Sequence, residues 1–158
     1  MNIFILDTDP RIAARMQCDK HIPKMVVETA QMLSTAVNML GGQAQYKSAY
    51  VNHPCTVWAR TSLDNFAWLS KHGFELGLEY NLRYGKIHKS SAVIMDCVWQ
   101  VSKLKFDKKG LTPHPQCMPD MYKSDNPVTA YRAYYRGEKS YFAKWDRDRD
   151  APLWWNAA

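Results

Sequence analysis

The sequence predicts a mainly α fold: a single compact helical domain, residues 1–158, of four to five helices preceded by a short extended N-terminal segment. Two observations predict it. Apolar residues recur at helical spacing through Ile22, Met25, Val26, Thr29, Met32, Leu33, Ala36, Val37 and Leu40, and again through Leu63, Phe66, Leu69, Phe74, Leu78 and Leu82. No internal repeat and no linker-like stretch interrupts the chain, and its length is that of one ordinary core.

Taken in order, "NIFIL" at residues 2–6 is β-prone and short, and "DTDP" then offers cap-type residues and a proline able to open a helix through "RIAARMQ". The helix from Ile22 to Leu40 stops at "GG", residues 41–42. A loop follows, and Pro54 opens a short helix, "PCTVWARTS", with Asn52 or His53 at its cap. The next helix contains Gly73 and Gly77, small residues four apart that suit close helix packing. "KSSAVIMDCVWQVSKL" is a further amphipathic helix opened by Ser90 or Ser91, and the proline-rich "LTPHPQCMPDMYKSDNPV" must be an irregular strap. "VTAYRAYYRGEKSYFAKW" reads as the last helix, and Trp154 and Trp155 are expected to dock.

Composition narrows the function classes. A net charge of +6 and an aromatic fraction of 13% fit a polyanionic partner, DNA or a nucleotide, and stacking on bases. The longest apolar run, "SAVIMDCVWQV", is too short to span a bilayer, and with no signal peptide the chain is expected in the cytoplasm. The four cysteines, scattered and accompanied by eight methionines, are expected as free thiols. Cys18 with His21, His53 with Cys55 and His114 with Cys117 lack the spacing of a zinc module, so neither metal nor cofactor is expected. No phosphate-binding loop, dinucleotide fingerprint, nucleophile elbow or zinc deaminase signature is present.

The candidate chemistry lies in "CDKHIPKMVVETAQML", residues 18–33. With Pro23 at a helix start, Lys20 and His21 stand at its positive end, where an anion is favoured, and Lys24 and Glu28 follow on adjoining turns. His21 can act in proton transfer, with Lys24 and Glu28 beside it, or it can merely cap the helix. Asn52 and His53 repeat the device at the next proline-opened helix. Tyr131, Arg132, Tyr135 and Arg136 of the last helix combine phosphate-binding and base-stacking side chains, though the tyrosines also suit a core face; Asn2, Arg60 and Lys123 join them as candidate DNA contacts.

In order and character this pattern resembles the phage pyrimidine-dimer DNA glycosylase family, also called endonuclease V. "KHIPKMVVETAQML" is similar to the family's first long helix, "FAWLSKHGFELGLEYNLRYG" to its second, and "MPDMYKSDNPVTAYRAYYRGEK" to its strap and third helix. The resemblance implies a compact helical fold with the N-terminus lying across the helices. It also implies attack on the sugar C1′ by the N-terminal α-amine, a Schiff base, strand cleavage, and assistance from a glutamate at the head of the first long helix. Carried onto this chain, the glutamate's place falls on His21, and the amine belongs to Met1 because a residue as bulky as Asn2 blocks removal of the initiator methionine. Lys20 and Lys24 match basic positions, and Glu28 or Asp19 is left to supply a carboxylate if either lies beside the N-terminus. Three functions therefore stay open: a DNA glycosylase or lyase, an enzyme acting on a free nucleotide or transferring a group to a modified base, and a non-catalytic binding module.

Overall fold

The first residues run as an irregular strap through the interior. Residues 2–6 are buried, but they pair with no other strand, and Phe4 takes a left-handed φ of 57° that no continuous β-strand tolerates. Their backbone groups are satisfied from elsewhere: Asn2 N–H donates to Glu28, and the carbonyls of Ile3 and Leu6 accept from Gln17 Nε2 and Arg132 Nε. The β-prone composition thus reports burial on both sides rather than a sheet.

The computed structural model describes residues 1–156. Six α-helices follow the strap: α1 (Pro10–Met16), α2 (His21–Met39), α3 (Pro54–Thr61), α4 (Leu63–Tyr84), α5 (Lys89–Trp99) and α6 (Pro127–Lys139), and no strand forms among the described residues. Six exceeds the four to five expected because the short segments opened by Pro10 and Pro54 each complete regular turns against a longer helix. Asp9 caps α1, His53 caps α3 and Asn126 caps α6, each through a side chain accepting backbone N–H groups ahead of a proline. A single extended residue, Ser62, separates α3 from α4 and caps the latter through Asn65 N–H.

The helix α2 is the central element, packed against α3, α4 and α5, while α1 lies on α4. Its apolar stripe, from Ile22 to Val37, is fully buried. The glycines of α4 permit the approach: a Cβ on Gly73 would sit 2.6 Å from Thr29 Cγ2, and one on Gly77 2.7 Å from Ser91 Oγ. At α5 the cap is His88, whose Nδ1 accepts Ser90 N–H, rather than Ser90 or Ser91 themselves. The last helix is shorter than its sequence pattern, ending at Lys139, so Phe142, Ala143 and Trp145 enter the core from irregular backbone. Trp154 and Trp155 pack beside Tyr135.

Candidate functional site

The two candidate histidines occupy different surroundings. His21 begins α2 and its ring turns inward: it is 4% exposed, stacked on Phe4 at 4.7 Å, flanked by Phe142, and joined to Tyr135 Oη by a 2.7 Å hydrogen bond through Nδ1. Burial, reinforced by Lys24, Lys139 and Lys20, pushes its pKa down to about 3, so it is a neutral core side chain. It lines no solvent-reachable cradle. The burial has a physical cause: Phe4, at a left-handed φ of 57°, stacks on the His21 ring at the first turn of α2.

Glu28 is seven residues farther on, two turns down nearly the same stripe of α2 and about 10 Å along its axis. There it meets the start of the chain. Its Oε2 accepts Asn2 N–H at 3.0 Å and stands 3.9 Å from the α-amine of Met1, while Lys24 Nζ approaches Oε1 at 3.6 Å. Asp19, the other carboxylate considered, is elsewhere: it accepts from Arg83 Nη1 and from Asp146 N–H.

His53 lies on the same side as this amine and carboxylate. Burial first, and the positive α-amine second, lower its pKa, with Glu28 opposing them, so the imidazole is neutral near pH 7. Its Nδ1 accepts Cys55 N–H at 3.2 Å. Cys55, one residue into α3, brings its sulfur 3.5 Å from that of Cys117 in the strap, across 62 residues of sequence. The Cys55 thiol holds the Cys117 thiol down at about 7, whereas the same contact and burial push Cys55 up; the pair holds one proton more tightly than the other. His53, Cys55 and Cys117 offer one ligating atom each, all within 4.8 Å of one another. Spacing alone had paired Cys117 with His114, whose ring instead lies tilted against Trp58 at 4.1 Å.

The remaining candidates divide by burial. Asn2 is a structural knot: its Oδ1 accepts from Ile3 N–H and Tyr131 Oη, and its Nδ2 donates to the Cys117 carbonyl. Tyr131 and Tyr135 are 1% and 0% exposed, so neither offers a face to a base; the helical face on which they recur is the core face of α6. Arg132 is turned back onto the Leu6 carbonyl and Asp7. Arg60 donates to the Val51 carbonyl and so braces the loop before α3. Lys20, Lys24, Asn52, Lys123 and Arg136 are exposed, with Lys123 paired to Asp120 and Arg136 donating to the Trp154 carbonyl. Of the expected set, then, the fold brings together Met1, Lys24, Glu28 and His53, with Cys55 and Cys117 as members that no local motif announces.

No helix among the described residues is long and apolar enough to cross a membrane. The sequence model of the pyrimidine dimer DNA glycosylase family matches residues 1–93, more than half of the chain, and the chain belongs to that family. The matched span runs from the N-terminal amine through α4 and thus holds Met1, Glu28 and His53, while Cys117 lies outside it. No curated protein and no solved structure matches the chain significantly.

Proposed function

From this family membership and the amine–carboxylate pair, we propose that the protein is a DNA glycosylase with associated strand-cleaving activity, acting on damaged pyrimidines, with the α-amine of Met1 as nucleophile and Glu28 as its acid–base partner. The observation that carries the reading is the 3.9 Å separation of the Met1 amine from Glu28 Oε2 at the meeting of the chain terminus and α2. A carboxylate so placed can accept a proton from the ammonium group, which must be lost before the nitrogen lone pair attacks. Contacts of this kind are often long in the unliganded enzyme and tighten around substrate.

The steps follow from that arrangement. The amine nitrogen bonds to C1′ as the C1′–base bond breaks, and the base leaves with the glycosidic electron pair and takes up a proton. Opening of the sugar ring gives an imine between Met1 and C1′, whose positive charge the Glu28 carboxylate stabilises. Loss of a C2′ proton then expels the 3′ phosphate by β-elimination, and water releases the amine. Asn2 N–H, fixed on Glu28 Oε2 at 3.0 Å, holds the carboxylate in register. Lys24, next to Glu28 and with a side chain 62% exposed, supplies a cation for a DNA phosphate.

Borohydride reduction in the presence of duplex DNA carrying either a cyclobutane pyrimidine dimer or an abasic site tests this directly. The expected result is a covalent protein–DNA adduct that mass spectrometry maps to Met1, with dimer-directed cleavage falling by about 10²–10⁴-fold in Glu28→Gln. Absence of an adduct with both substrates, or an adduct on a lysine side chain, would overturn the assignment.

A further inference from the structure

We propose that His53, Cys55 and Cys117 form a binding site for a thiophilic divalent cation of the zinc class, which fastens the strap to the start of α3 beside the N-terminus. Their ligating atoms lie within 4.8 Å of one another, with the two sulfurs 3.5 Å apart. Tetrahedral zinc with metal–sulfur bonds of about 2.3 Å separates two thiolates by about 3.8 Å, so the observed triangle closes on an ion with only small side-chain movement. Two thiolates and an imidazole leave the fourth position to water or another small ligand, and the two negative sulfurs balance the charge of the ion.

The three ligands are also held in place independently of any ion. Cys117 is fixed on both sides of its peptide, its N–H donating to Tyr131 Oη at 3.1 Å and its carbonyl accepting from Asn2 Nδ2 at 2.9 Å. Cys55 is set by the first turn of α3 behind Pro54, and His53 by its N–H to the Tyr50 carbonyl at 2.9 Å. Backbone pinned in this way is the supporting shell that a metal centre requires. Ligation through His53 Nε2 leaves the Cys55 N–H to Nδ1 hydrogen bond in place, whereas ligation through Nδ1 gives it up. A single cap hydrogen bond is a small loss against two metal–thiolate bonds.

A bare thiol pair this close is the alternative occupant, since loss of two electrons and two protons to a disulfide or peroxide oxidant would join Cys55 to Cys117. Metal content and the spectrum of the cobalt-substituted protein decide between them. Full-length protein, prepared under reducing conditions and reconstituted with Zn²⁺, is expected to retain about one ion per chain after gel filtration, falling below about a tenth in Cys55→Ser and in Cys117→Ser. Cys97→Ser, which alters a buried thiol in contact with Ser34, should keep it. Co²⁺ should give a thiolate charge-transfer band whose intensity drops by about half in Cys117→His, a variant that preserves ligation and so separates lost binding from lost folding. No retained metal in the reduced folded protein, or equal retention in the double serine variant, overturns the site, as does a Cys55–Cys117 disulfide in protein that has never bound metal. The site does not depend on the strand-cleavage reading: metal content is read without DNA, and a failed borohydride trap leaves it standing.

Discussion

Two polar clusters stand at opposite ends of the helix bundle's chemistry. Around Arg83 each guanidinium nitrogen is engaged: Nε donates to Glu79, Nη2 donates to the Arg15 carbonyl and pairs with Glu79, and Nη1 donates to Asp19 and the Gln17 carbonyl. Arg149 completes the carboxylate with bonds of 3.0 and 2.7 Å to Glu79. Burial alone would raise the Glu79 pKa, but Arg149 and Arg83 outweigh it and leave the group below its usual range. Around Glu28, by contrast, one backbone N–H lies at hydrogen-bond distance, and the ammonium groups of Met1 and Lys24 stand off at 3.9 and 3.6 Å. A saturated, sealed network has no lone pair to give and is a structural device. The Glu28 carboxylate is less completely paired, and it is on this incomplete pairing that the proposed chemistry rests.

That contrast is open to attack by substitution. Arg83→Met should cost about 3–5 kcal/mol in urea unfolding, because it leaves Asp19 without its ionic partner and Glu79 with Arg149 alone, while Schiff-base trapping per folded molecule stays intact. Glu28→Gln should do the reverse, lowering stability by less than Arg83→Met in the same titration while losing cleavage as stated above. If both variants lose stability equally, the two clusters do not differ in kind.

The buried histidines sharpen the comparison through pH. Burial lowers His21 and His114 to about 3 and His72 to about 4, below the value of about 6.5 expected in the unfolded chain. A folded-state pKa that is depressed means the neutral form is favoured by folding. The stability it confers is present above pH 6.5 and is lost as pH falls toward 3–4, at up to about 1.4 kcal/mol per pH unit for each histidine. Urea midpoints measured from pH 7 to 5 should therefore fall steeply; a flat profile would mean that these rings are accessible. A smaller effect is expected for Tyr135→Phe, which removes the partner of Cys18 N–H and His21 Nδ1 and should cost about 1–3 kcal/mol without changing the salt dependence of DNA binding. Smallest is Lys24→Ala, expected to weaken DNA binding uniformly and reduce the salt slope by about one, with stability within about 0.5 kcal/mol.

What was legible locally was legible because helix periodicity and caps are short-range physics. The stripe of α2, the prolines that open α1, α3 and α6, and the close packing at Gly73 and Gly77 all follow from residues within a few turns of one another. The same reasoning reached Lys24, Glu28 and His53 as candidates, and the family resemblance added Met1, yet His21 was ranked at the chemical centre. Position at a helix start says where a side chain's backbone lies, not what covers it. Nor can the face on which Tyr131 and Tyr135 recur be assigned to core or to ligand by periodicity, since both uses share one spacing.

The sequence by itself determined a mainly helical chain, its helix starts, a basic charge, and a family pattern whose amine and carboxylate had to be sought near the first long helix. Only the tertiary structure set Glu28, rather than Asp19, beside the Met1 amine, because that contact is made by the N-terminal segment folding across α2. The same holds for Cys55 and Cys117, whose 3.5 Å approach closes a loop of 62 residues. Contacts so distant along the chain are set by how whole elements bury their apolar faces, and no local spacing encodes them.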